Sequence, residues 1–363
     1  MSFPFVQPYF GLGNSLQTAQ ASGGGAGGIG GWVELARTTL GGAADEIEVG
    51  SLADKRYYMF LIDAHDASGN PEIRMDFNSD TGSNYAERAQ SDGAADYTAT
   101  NATFFELNGS NNNDDRFDMG YISNLATKEK LLMSHHMANN GSGAGSAPKY
   151  RTELAGKWAN TSNAISTIRA HFVSSRTYGS GSEMVVLGWD PADTHTTNFW
   201  EELASVTLGS DGDVLSSGTI SAKKYLWVQA FIKNSGTSAR FNTEITFNND
   251  TAGNYSERSS LDGATDSTST SQSKIMSSGV TGSDDDLWCL NMFVVNNSAN
   301  EKLCIGHGFD TYAGSGAGTA PSQRFEKVAK WANTSSQITE IDITNSDTSN
   351  YDAISELRVW GSN

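Results

Sequence analysis

The chain contains itself twice. FNSDTGSNYAER at 77–88 returns as FNNDTAGNYSER at 247–258, and GSGAGSAPKYRTELAGKWANTS at 141–162 returns as GSGAGTAPSQRFEKVAKWANTS at 314–335. Fifteen of the 22 paired positions in the second match are identical, far more than unrelated sequences share. WVELARTTLG (32–41) pairs with WEELASVTLG (200–209), EKLLMSHH (129–136) with EKLCIGHG (301–308), and SEMVVLG (182–188) with SELRVWG (355–361). The offset grows from 168 at Trp32/Trp200 to 173 at Trp158/Trp331, with the order kept throughout. The insertions fall in Gly/Asn/Ser/Asp-rich stretches such as NGSNNNDD, where loops absorb them at small entropic cost. The sequence therefore divides into an arm and tether (1–31), a first module (32–190), a linker (191–197) and a second module (198–363). Each module is long enough to bury its own core. The period is far too long for a solenoid.

Short apolar runs bounded by Gly, Asn, Asp and Ser dominate both copies. YYMFLI (57–62), YLWVQAFI (225–232), LWCLNMFVV (287–295), EMVVLGW (183–189) and ELRVW (356–360) read as strands. ATKEKLLMSHHM (126–137) is helical by propensity, but its counterpart SANEKLCIGHGF carries two glycines and an isoleucine. Two copies must share one fold, so the strand reading prevails. The expected fold class is all-β: two tandem antiparallel β-sandwich domains of jelly-roll-like type behind an extended arm, each closing its own core. Trp158 and Trp331, in KWANTS, are candidate core anchors beside a turn.

The repeated dodecapeptide parses as strand end, turn, strand. Asp80 and Asp250 are placed to bond the backbone just ahead, as Asx turns do. Alternation then puts Tyr85 and Glu87 on one face, Ala86 and Arg88 on the other. A competing reading gathers Asp80, Asn84, Asp92 and Asp96, with Asp250, Asn254, Asp262 and Asp266 in the second copy, into an oxygen-rich Ca²⁺ site per module. The D-x-[DN]-x-[DN]-G pattern is missing, so structural turns are preferred.

Other constellations are weighed the same way. His135 and His307 recur after EKL, yet neither has an H-E-x-x-H or C-x-x-C neighbour, so each reads as a hydrogen-bonded strand histidine and no metal is assigned. Arg151 with Glu153, and Arg324 with Glu326, lie at i, i+2 on matched strands. They read as solvated ion pairs, or as a polar groove that contacts a glycan or a neighbouring subunit. Cys289 and Cys304 have Phe117 and Leu132 as counterparts and read as two buried thiols on neighbouring strands, with no disulfide framework. The formal G-x-G-x-x-G at Gly23–Gly28 has no strand before it and no helix after it, so a dinucleotide site fails. No G-x-S-x-G elbow occurs, and no carboxylate pair is singled out for glycoside hydrolysis. No catalytic residue and no cofactor is assigned, and the chain is not expected to be an enzyme.

Charge narrows the partners. Lys and Arg total 24 against 42 Asp and Glu, a formal net charge of −18, which argues against direct binding of nucleic acid. No apolar run reaches the length of a membrane-spanning helix.

The arm is unlike everything after it. MSFPFVQPYF crowds Phe3, Phe5, Val6, Tyr9 and Phe10 around Pro4 and Pro8, which keep the chain extended. It lacks the basic start and continuous apolar stretch of a signal peptide. SGGGAGGIGG (22–31) follows as a flexible tether spanning roughly 17 Å on average. An aromatic segment on such a leash must be buried somewhere, and the slack favours another subunit over its own module.

The F-P-F-x-Q-P-Y-F arm, the Gly-rich tether and modules bearing F-N-x-D-T-x-x-N-Y-x-E-R and K-W-A-N-T-S together resemble virion structural proteins of tailed bacteriophages. Capsid decoration, head-fibre and tail-associated subunits are the nearest types. The resemblance implies a non-enzymatic virion protein assembled in the host cytoplasm. Its arm would dock Phe3, Phe5, Val6, Tyr9 and Phe10 on a major capsid or tail protein, and its modules would project outward, as part of a homo-oligomer. The chain departs from typical fibres in having no collagen-like or coiled-coil stretch. The alternative is a carbohydrate-binding adhesion protein whose β-sandwich loops contact cell-surface glycans.

Overall fold

The computed structural model describes the chain except residues 1–30, 69–72, 108–114, 173–175, 192, 194–197, 237–240, 281–285, 312–316 and 318–319. Every regular element among the described residues is a strand. The first large sheet holds, in spatial order, β1 (Val33–Thr39), β14 (Glu183–Trp189), β3 (Tyr57–Ala64), β9 (Arg116–Ser123), β10 (Lys130–Ala138), β11 (Tyr150–Trp158), β6 (Tyr85–Ser91) and β7 (Tyr97–Ala102). A smaller sheet sits beside it, ordered β2 (Glu46–Val49), β12 (Ile168–His171), β5 (Arg74–Phe77) and β8 (Phe105–Glu106). β4 (Asp66–Ser68) pairs with β13 (Thr177–Tyr178).

The second half repeats the large and the small sheet strand for strand, while among its described residues the β4–β13 pair has no strand counterpart. Its large sheet runs β15 (Glu201–Thr207), β26 (Glu356–Ser362), β17 (Tyr225–Lys233), β22 (Leu287–Val295), β23 (Lys302–Asp310), β24 (Gln323–Trp331), β19 (Tyr255–Leu261) and β20 (Ser267–Gln272). Its small sheet runs β16 (Val214–Ser216), β25 (Ile341–Asn345), β18 (Phe241–Phe247) and β21 (Ile275–Val280). All ladders are antiparallel, and the chain keeps switching between large and small sheet, so each half is a jelly-roll-like β-sandwich. The helix-prone segment near His135 is indeed strand β10.

Successive side chains of a strand point to opposite faces, and here both faces are buried. In β3, Tyr58, Phe60 and Ile62 enter the first sandwich's core, while Met59 and Leu61 enter a separate cluster. Leu226 and Val228 of β17 likewise line the second core, and Tyr225 and Trp227 the separate one. That third cluster draws on both halves: Met119, Val185 and Leu187 from the first, Phe293, Ile305 and Trp360 from the second. The two large sheets therefore pack face to face, giving four layers. Each module does close its own core, as expected, and a third core shared between them is added. Each fully buried side chain of this size contributes about 1.5–3 kcal/mol, so the seam is no loose contact.

Candidate functional site

The dodecapeptide is a latch. Asn78 and Ser79 both have positive φ, 54° and 53°, and Asp80 N donates to Phe77 O at 3.0 Å, closing a tight turn. Asp80 accepts from Gly82 N at 2.8 Å, from Asn84 Nδ2 at 2.8 Å and from the Trp158 indole at 2.7 Å. Asp250 does the same with Ala252 N, Asn254 and Trp331. Burial opposes ionisation of both carboxyls, but these donors win and hold their pKa below the usual value. Tyr85 and Glu87 are buried and Arg88 exposed, as alternation requires. Asp92 and Asp96 lie past the far end of β6, so the four oxygen-bearing residues considered for Ca²⁺ do not converge in either module.

The far end of β6 leads to the seam. Arg151 is buried, and its guanidinium reaches across to Asp266 of the second module, Nη2–Oδ1 2.8 Å and Nε–Oδ2 3.2 Å. It also donates to Glu153 at 2.7 Å and to Glu326 at 3.5 Å. Asp92 accepts from Arg151 N at 3.0 Å and faces Arg258 at 3.5 Å. Burial works against the Arg151 charge, yet the Asp266 bond and the surrounding carboxylates raise its pKa. Burial, then the repulsion of Glu153, raises Glu326. The solvated-pair reading is thus corrected for Arg151, which is a buried tie between modules. Arg324 stays exposed and pairs with Glu326.

The histidines meet at the same place. In both sheets a histidine stands opposite a glutamate across a ladder, His135 with Glu153 and His307 with Glu326. His135 and His307 are equivalent positions of the repeat, and their rings face each other with centroids 4.1 Å apart. Equivalent residues of the two copies thus meet across the seam, although the seam is asymmetric elsewhere: Leu303 is buried while its counterpart Leu131 is exposed. His307 Nε2 lies 3.4 Å from Glu153. His135 Nδ1 is enclosed without a hydrogen-bond partner among the described residues. Burial, then His307, pushes His135 down to about 3. Glu153 is opposed by burial but held at about 2 by the His307 hydrogen bond and neighbouring charges. The reading of two separate hydrogen-bonded strand histidines is corrected: the partner that each lacked in sequence is the other. Their donor atoms and that of Glu153 lie within 4.8 Å of one another, a set able to hold a metal ion.

These groups line a cleft of about 730 Å³. Arg324, Phe231, Phe309 and Asn291 complete its wall, and Phe231 and Phe309 are exposed. Cys289 also lines it and is half-buried, while Cys304 on the adjacent strand is buried, with its thiol pKa pushed up by burial. The GSGAG loop of the first module docks on the second: Glu301 accepts from Asn139 at 2.6 Å, and Lys330 donates to Gly141 O at 2.9 Å. Sequence reasoning missed Glu301, Lys330 and Asp266 as seam residues. The arm residues Phe3, Phe5, Val6, Tyr9 and Phe10 lie outside the described residues.

No protein-family model and no curated protein matches the chain. Among solved structures, domains LG4-5 of the mouse laminin α1 chain are similar at 8% identity over 92% of each chain, with a TM-score of 0.18. Neisserial surface protein A aligns at 7% identity over 79% of this chain and 96% of its own, with a TM-score of 0.13. An HCR/D W1238A mutant aligns at 9% identity over 86% and 88%, with a TM-score of 0.22. Likenesses this slight carry no argument, and the sandwich fold rests on this chain's own ladders.

Proposed function

We propose that the chain is a non-enzymatic structural protein of a phage particle, a stiff twin-sandwich body attached through residues 1–20. The observation that supports this best is the shared third core. Two modules joined by a linker alone would swing, whereas two large sheets packed face to face move as one block, which suits a projecting subunit. Attachment would come from the apolar side chains of the arm, repeated over many copies so that weak docking gains avidity. The test is deletion of residues 1–20. Incorporation into particles should be lost while the remaining chain stays folded and soluble; particles that still carry the truncated protein would overturn the reading.

A second reading, glycan binding, is favoured by one observation. The seam cleft sets exposed Phe231 and Phe309 beside Arg324 and Asn291, and such a mix of apolar faces and convergent polar groups suits a sugar. Arg151 is withdrawn from that role by its burial. Glycan-array binding that disappears in Arg324→Ala and Phe309→Ala would support it, and no binding at high protein concentration would end it.

A further inference from the structure

We infer that the seam holds a divalent transition-metal ion of the zinc class, bound by His135, His307 and Glu153. This is independent of the particle reading, since a free or a virion-bound chain would carry the ion alike.

Three observations converge. Two imidazoles and one carboxylate bring their donor atoms within 4.8 Å of one another, and His₂Glu is a donor set that Zn²⁺ uses when it keeps an open coordination position. Metal–ligand bonds of about 2.0–2.2 Å place donors roughly 3.3 Å apart. His307 and Glu153 are already 3.4 Å apart, and the remaining pairs must draw in by at most about 1.5 Å, a distance that small torsions of half-buried side chains cover. Next, His135 Nδ1 is enclosed and has no hydrogen-bond partner among the described residues, a costly arrangement for a buried polar atom and one that a cation bound at that nitrogen would remove. Lastly, all three residues line the 730 Å³ cleft, so a fourth, oxygen ligand has room to reach the ion.

The charge around the site permits a cation. Arg151, Arg258 and Arg324 are present, but Asp92, Asp266, Glu153 and Glu326 outnumber them. Soft–hard preference then sets the ion class: imidazole suits Zn²⁺, Ni²⁺, Cu²⁺ and Fe²⁺, whereas Ca²⁺ and Mg²⁺ want oxygen alone. Because the two histidines come from different modules, the ion would staple the seam. A ligand that binds only the folded chain also raises its stability by mass action.

The experiment uses the full chain, stripped with a chelator and titrated with Zn²⁺ and with Co²⁺ at elevated salt, to suppress loose binding to an acidic surface. Equilibrium dialysis with metal analysis should give one ion per chain, undisplaced by excess Ca²⁺, and the Co²⁺ form should show visible d–d absorption. His307→Gln should weaken binding by about 100-fold or more, since even losing an outer-shell partner costs about 10–100-fold. That variant keeps a similar volume, and a parent-like circular dichroism spectrum with a cooperative metal-free melt separates lost ligation from lost folding. His135→Asn provides the second arm with the same expectation. Failure of the parent to bind Zn²⁺ or Co²⁺ stoichiometrically, or binding unchanged in the double variant, overturns the inference.

Discussion

The indole nitrogen of Trp158 donates to Asp80 at 2.7 Å, and Trp331 donates to Asp250 at the same distance. One carboxylate thereby closes a turn and fixes the largest side chain of its core, which is a physical reason for both copies to carry the same dodecapeptide. Asp80→Ala removes the acceptor for three donors, one of them the indole of a fully buried tryptophan. Loss of such bonds costs roughly 1–3 kcal/mol. Urea denaturation should show a drop of that size for Asp80→Ala and a matching one for Asp250→Ala, with the Asn variants milder.

The turn of that latch is legible in the amino-acid sequence because it is local, Asx bonding and strand alternation acting within a dozen residues, whereas the tryptophan bond joins residues far apart in the chain. Strand identity is legible too, since two copies have to agree on the helix-prone stretch around His135. The seam is harder. Its clue lies in YYMFLI and EMVVLGW, which are apolar at nearly every position rather than at alternate ones. A continuous run means a strand covered on both faces, and a single sandwich covers only one. The His135–His307 meeting is hidden because linear spacing carries no trace of how the two modules pack. Duplication followed by face-to-face packing brings equivalent residues together, and a residue kept in both copies is where such contact begins.

Arg151 and Asp266 give the second prediction. Both side chains are buried, and they tie one module to the other through two hydrogen bonds. Removing the arginine leaves the Asp266 carboxylate buried with, among the described residues, only Arg258 nearby at 3.8 Å, at a cost of about 3–5 kcal/mol. Arg151→Ala should lower stability by that order and Asp266→Ala by less, because Arg151 keeps Glu153 and Glu326 as partners. Arg151→Met combined with Asp266→Leu should recover much of the loss, a coupling that a double-mutant cycle reads directly.

Glu87 gives a pH prediction. It is buried, accepts from Glu106 N at 2.9 Å, and burial raises its pKa from 4.5 to about 7. Its counterpart Glu257 has Lys327 at 3.2 Å, whereas the first-module residue equivalent to Lys327 is Leu154. Between about pH 4.5 and 7 the folded state holds a proton that the unfolded state has lost, so stability falls as pH rises through this window. Glu87→Gln should abolish that slope and exceed the parent in stability above pH 7. Chemical denaturation across the range checks it.

His65 gives a test at the alkaline end. It lies 2.9 Å from Asp115 and 3.5 Å from Asp63, with Asn300 of the second module bonding Asp115 at 2.9 Å. Burial opposes its charge, but the hydrogen bonds and charges of Asp115 and Asp63 raise its pKa to about 10. The sign follows from proton uptake: the stabilisation is full below the ordinary value of 6.5 and is lost as pH climbs towards 10. His65→Asn should flatten the alkaline limb of the stability profile and lower stability near pH 6.

The shared core predicts how the chain unfolds. Trp227, Phe293 and Trp360 of the second module are buried within a cluster that the first module completes. Taken alone, residues 198–363 would present those rings on one open sheet face, an apolar patch larger than a monomer normally carries. That fragment should self-associate or precipitate, and sedimentation velocity would show it. The full chain should instead melt in a single cooperative transition, because neither large sheet keeps its second covered face once the other is gone. Scanning calorimetry distinguishes the outcomes. Two well-separated transitions, together with a monomeric and soluble second module, would mean that the sheets do not depend on one another. Replacing Trp227 and Trp360 with serine in the fragment should restore solubility by removing the apolar face itself. The same changes in the full chain should destabilise it by several kcal/mol, since truncating a buried large aromatic costs about 3–5 kcal/mol.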